Sequence, residues 1–137
     1  MKKELFEAKV KYVKLLDSGV EKKVTEAFLV DALTVSEAET RVIKKLKSSI
    51  RGEFSVEAVK KASFKEFFGS DGERFYNCKI VFVIISDDGQ EKRQKNAMLV
   101  QADDFQDALD HLEDGMKGTV SDWEIFSITE TSYQDII

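Results

Sequence analysis

The chain has 137 residues, 42% of them hydrophobic and 34% charged, with one cysteine, one histidine and no proline. That is enough for a single folded domain that buries roughly two-thirds of its unfolded surface. A net charge of −5 argues against bulk attraction to nucleic acid, and no apolar run approaches the ~20 residues a membrane helix needs.

In chain order, the opening "MKKELFEAKV" has lysines but no apolar segment behind them, unlike a secretory signal. Phe6, Ala8, Val10 and Tyr12 then alternate with charged residues, the period-2 pattern of a half-buried strand. "DSG" predicts a hairpin turn with positive φ at Gly19, and a second strand runs from about Val24 to Ala32. Thr34 with Glu37 makes a capping box that opens a helix whose stripe is Val35, Ala38, Val42, Leu46 and Ile50. A third strand follows in "EFSVEAV".

The same order then recurs. A strand carries Tyr76, Cys78, Ile80, Phe82 and Ile84; "DDG" turns it at Gly89; a second strand runs from about Gln94 to Ala102. Asp104 and Asp107 stand where Thr34 and Glu37 stood, Phe105, Ala108, Leu112 and Met116 form the stripe, and Gly118 stops the helix.

This recurrence holds residue by residue. Sliding residues 8–38 by 70 onto 78–108 leaves no gap and gives identities at Lys9/Lys79, Asp17/Asp87, Gly19/Gly89, Ala27/Ala97, Leu29/Leu99, Val30/Val100 and Ala38/Ala108. Beyond the helix the offset is 69, and Phe54/Trp123, Val56/Ile125, Val59/Ile128 and Phe64/Tyr133 match in kind. The expected architecture is therefore α+β: an internal duplication of a β-β-α-β unit, related by a pseudo-two-fold, with mainly antiparallel sheet and two packed helices. It forms one domain over 1–137, with a basic repeat (1–69) and an acidic repeat (70–137). Residues 1–70 hold 15 Lys and Arg against 11 Asp and Glu, and residues 71–137 hold 6 against 15.

Both faces of the "KIVFVII" strand are apolar. A sheet covered on one side only keeps its other side polar, so Val81, Val83 and Ile85 need a cover. Unit one's equivalent face carries Lys9 and Lys11, so the expected cover is a second copy, making the protein a homo-oligomer through Val81, Val83 and Ile85.

Little in the sequence points to catalysis. His111 lies at the edge of the second helix's stripe, and Cys78 shares the inward strand face with Ile80, the setting of an inert buried thiol. No phosphate-loop, dinucleotide, HExxH or CxxC motif is present. Asp103, Asp107, Asp110 and Asp114 share one helix face, but side chains on one helix fan outward, so they suit solvent or a basic partner protein better than a metal. Arg41, Lys44, Lys45, Lys47 and Arg51 crowd the second half of the first helix, where cations favour the helix C-terminus. With Lys9 and Lys11 they also make a candidate anion-binding surface. No catalytic residue, metal or cofactor is expected, and the lone cysteine suits a reducing cytoplasm.

The strings "KKVTEAFLVDALTVSEAE", "GEFSV" and "MLVQADDFQDAL" resemble a small family of unknown function found in gut anaerobes and their phages. The resemblance spans nearly the whole chain, implies a bacterial or phage cytoplasmic origin, and supplies no activity or site residues. Two readings of function stand. The first is a non-catalytic, oligomeric binding protein for an anionic ligand, a nucleotide or nucleic acid. The alternative is a protein–protein adaptor or phage-encoded inhibitor that meets a basic host protein through the acidic repeat. An enzyme is a third and weaker class, and no membrane partner is expected.

Overall fold

The computed structural model of the protein describes residues 4–137. Ten elements follow one another: β1 (Glu4–Leu15), β2 (Glu21–Ala32), α1 (Val35–Ser49), β3 (Phe54–Lys61), β4 (Glu66–Phe68), β5 (Arg74–Ile85), β6 (Glu91–Ala102), α2 (Phe105–Gly115), β7 (Asp122–Glu130) and β8 (Tyr133–Ile136). The fold is α+β, with two mostly antiparallel four-stranded sheets and a helix packed on one face of each.

The sheets share one order. The first reads β3-β1-β2-β8 and the second, taken in the same direction, β7-β5-β6-β4. The β1–β2 hairpin runs in register from Glu4↔Ala32 to Leu15↔Glu21, and the β5–β6 hairpin from Arg74↔Ala102 to Ile85↔Glu91, each pair displaced by 70. Even the irregularities agree: β1 shifts register against β3 between Lys9 and Val10, and β5 against β7 between Lys79 and Ile80. Both turns place glycine at positive φ, Gly19 at 85° and Gly89 at 83°, a conformation that costs a side chain little only when there is none. The hairpin strands run longer than their hydrophobic alternation, because backbone pairing continues to the turns after the side chains have emerged into solvent.

Alternation did not disclose β4 and β8, which are three and four residues long. Each joins a sheet in parallel, β8 beside β2 and β4 beside β6. Ile136 is the partner of Leu29, and Phe67 that of Leu99, so the two additions are equivalent. They are also exchanged: the segment after β3 completes the second sheet, and the segment after β7 completes the first. The compact units therefore comprise the chain through Ala62 with Ser132–Ile137, and Ser63–Thr131, instead of two consecutive halves.

The helices start as their caps dictate. The Glu37 amide donates to Thr34 Oγ1 at 3.1 Å while Glu37 Oε2 accepts from the Leu33 amide at 3.1 Å. At α2 the Asp107 amide donates to Asp104 Oδ1 at 2.8 Å and Asp107 Oδ2 accepts from the Asp103 amide at 3.0 Å. Ala38, Val42 and Leu46 bury against Phe6, Ala8, Val10, Phe28 and Val30. Ala108, Leu112 and Met116 bury against Tyr76, Cys78, Ile80, Met98 and Val100. Leu29 and Leu99 lie outside these two clusters, and both are 0% exposed.

The expected oligomer stripe needs correcting at one position. Val81 is 2% exposed in the single chain, so it has no surface left to offer a second copy. Val83 is half-buried, and only Ile85, at 70%, stands open.

Candidate functional site

The expected cations do not form one surface. Alternation along β1 puts Lys9 and Lys11 on the face away from α1, where they line two separate grooves. Arg41 is committed to structure, its guanidinium donating to the Asp31 carbonyl. Lys44 and Arg51 are exposed. Lys47 lines a groove of about 490 Å³ with Glu39 and Glu53, where two carboxylates against one ammonium disfavour an anion. Lys45 lines a further cleft, whose charged residues are two lysines and two carboxylates beside apolar walls.

That cleft, of about 320 Å³, lies within the first unit. The ends of β1 and β2 supply Tyr12, Lys14, Glu26 and Phe28; the last turns of α1 supply Lys45, Leu46 and Ser49; Gln134, Asp135 and Ile137 close it. Tyr12, Glu26 and Phe28 point toward the helix because they share parity with the core residues Val10 and Val30. Glu26 is thus a carboxylate at an inward strand position, with only 14% of its side chain exposed. Two neighbours compensate it: the Tyr12 hydroxyl donates to Oε1, and the Lys14 ammonium stands 3.5 Å from Oε2. Burial, then the hydrogen bond to Glu26 and its charge, push the Tyr12 phenol up to about 12. Lys45 forms no ion pair among the described residues.

The second unit treats the same place differently. In the offset of 70, Tyr12, Lys14, Glu26 and Lys45 become Phe82, Ile84, Asn96 and Gly115, and at offset 69 Ile137 becomes Phe68. The Phe68 ring lies over Gly115 so closely that a β-carbon there would sit 2.8 Å from ring atoms. Lys65 Nζ stands 5.4 Å from the centre of the Phe82 ring. Asn96 Nδ2 is buried without a hydrogen-bond partner. Unit two lacks the counterparts of the Lys14, Glu26 and Lys45 charges, carries Lys65 where unit one has Gln134, and places an aromatic ring against the position equivalent to Lys45.

The acidic stripe of α2 is engaged locally. Asp103 Oδ1 accepts from the Glu73 amide at 3.2 Å, Asp107 closes the cap, Asp110 Oδ1 accepts from Gln106 at 3.1 Å, and Asp114 pairs with Lys117 at 2.8 Å. Hydrogen bonding to Lys117, with its charge, holds the Asp114 carboxyl below the usual range. Among the described residues no group of three or more His, Cys, Asp or Glu converges as a metal site.

His111 is held by two oxygens, the Gln101 carbonyl 2.9 Å from Nδ1 and Asp107 Oδ1 3.1 Å from Nε2. It occupies Arg41's position and tethers its helix to the equivalent strand carbonyl. Burial pushes the Cys78 thiol up to about 11, which makes it a poor nucleophile at neutral pH.

Tyr12, Lys14 and Glu26 escaped the sequence reading of the site. Glu26 did leave a signal, as the one carboxylate on the inward parity of β2. Its partner was hidden because Tyr12 also fits a core aromatic.

The sequence model of a family described as Domain of unknown function (DUF4494) matches residues 4–137. The chain belongs to that family. No curated protein and no solved structure gives a significant match. No helix among the described residues is long and apolar enough to cross a membrane.

Proposed function

We propose that this member of the DUF4494 family is a non-catalytic binding protein for a small anionic ligand, and that the cleft bounded by Tyr12, Glu26 and Lys45 receives it. The observation that carries the reading is the contrast between equivalent places: Tyr12, Glu26 and Lys45 border a cleft in unit one, whereas unit two has Phe82, Asn96 and Gly115 there, with the Phe68 ring against Gly115. The two units share strand order and hairpin register and differ in side chains at this place, which supports a division of labour in which the second keeps the scaffold and the first binds the ligand.

Anion preference follows from the charges. Lys14 is balanced by Glu26, and Asp135, the other carboxylate of the cleft, accepts from the Ile136 amide at 2.8 Å, so the Lys45 ammonium has no ion-pair partner among the described residues and gains one when a phosphate or carboxylate enters. A binding role also suits the two reactive side chains of the sequence, since Cys78 is buried with a raised pKa and both His111 nitrogens serve the fold. Docking of a basic partner on α2 gains no such support, because its aspartates are already satisfied locally.

The test is calorimetric titration with inorganic phosphate and nucleoside monophosphates, for wild type, Lys45→Glu and Lys11→Glu. Lys45→Glu should weaken binding at least tenfold, and Lys11→Glu, in a neighbouring groove, should change it less than threefold. Equal binding by all three proteins would refute the assignment.

A further inference from the structure

Besides a free ammonium the cleft contains two carboxylates, the exposed Asp135 and the largely buried Glu26, and an anion alone has no use for the latter. Glu26 sits at an inward position where the second unit has a neutral asparagine, and a buried carboxylate is costly unless its acceptors are filled. A carboxylate offers about four lone-pair sites. Tyr12 and Lys14 account for two, which leaves acceptor capacity on a group that would repel a ligand's anionic end. Glu26 and Lys45 therefore select opposite ends of one molecule, with Tyr12, Phe28, Leu46 and Ile137 as the apolar wall for its body. At about 320 Å³ the space is at the small end of ligand pockets, roughly 300–1,000 Å³.

Resting on the anion-binding reading above, we infer that the ligand is a free nucleoside monophosphate whose base turns adjacent N–H donors, as guanine does, toward Glu26 while its phosphate meets Lys45. Two donors side by side match the spare acceptors of a carboxylate, and a planar ring fits beside Tyr12. Adenine presents one amino group beside a ring acceptor, which would face the carboxylate oxygens unfavourably.

Full-length protein titrated with GMP, AMP, inorganic phosphate and a guanine-containing oligoribonucleotide tests this. Wild type should bind GMP about tenfold or more tightly than AMP. Glu26→Gln, which keeps an acceptor for the Tyr12 hydroxyl, should abolish that preference by weakening GMP binding about tenfold; Glu26→Asp should restore part of it. Tyr12→Phe, which spares the carboxylate, should retain the preference, and melting curves verify that each variant folds. Unchanged GMP preference in Glu26→Gln overturns this inference and leaves the anion site standing. Indifference to Lys45→Glu overturns the anion site itself. No binding of GMP by wild type, or tighter binding of the oligoribonucleotide, also overturns the inference.

Discussion

The two units are built on one plan and finished differently. They share strand order, hairpin register, register shift, helix cap and an exchanged fourth strand. They diverge where the ends of the first two strands meet the last turn of the helix. There unit one has Tyr12, Glu26, Lys14 and Lys45 around a cleft, and unit two has Phe82, Asn96, Ile84 and Gly115 under the Phe68 ring. Features demanded by the backbone ladder and the core agree between the units, so differences outside those demands point to function.

The likeness can be broken first at its strongest point. Leu29 and Leu99 are equivalent and both fully buried, so Leu29→Ala and Leu99→Ala should each cost about 2–5 kcal/mol in chemical denaturation. A loss below about 1 kcal/mol at either site would show that the matching positions do not carry matching loads.

The difference is sharpened by alanine at a second matched pair. Gly115→Ala drives a β-carbon into the Phe68 ring and should cost about 1–3 kcal/mol as overpacking. Lys45→Ala shortens an exposed side chain and should stay within about 0.5 kcal/mol. Equal effects would mean that the Phe68 plug is not what distinguishes the units.

A smaller effect separates the strand pairs. Tyr12→Phe removes the hydroxyl bonded to Glu26 and should cost about 0.5–1.5 kcal/mol, measured by thermal or chemical melting. An unchanged melting point would show that the bond contributes nothing net.

Alkali extends the same comparison. Tyr12 and Tyr133 belong to unit one and are both raised, chiefly by burial and then by Glu26 and Glu7 respectively. Because the folded pKa of Tyr12 exceeds its ordinary value of 10.0, the stabilising contribution of the neutral phenol is complete below pH 10 and is lost as pH rises toward about 12. Phenolate absorbance should therefore show Tyr12 ionising near 12, and Tyr12→Phe should remove that step. A titration of Tyr12 at 10 would contradict the contact with Glu26.

Much of this was legible in the sequence. The 70-residue offset, the Thr34/Glu37 and Asp104/Asp107 caps and the glycine turns each rest on local chemistry and recur in the structure. The exchanged strands β4 and β8 were not legible, because three or four residues carry no period and their pairing is set by distant partners. The basic cluster dispersed for a related reason. Neighbours in sequence on α1 point around a helix, so Lys44, Lys45 and Lys47 face three directions, and Arg41 is spent on the Asp31 carbonyl.

The central claim, one ligand cleft in a chain of two like units, is tested most directly by the stoichiometry of ligand binding. Calorimetry of the wild-type chain with GMP should give one equivalent per chain, lost in Lys45→Glu and retained in Lys65→Glu, which alters the corresponding region of unit two. Two equivalents, or a single one lost with Lys65 and not with Lys45, would contradict the account.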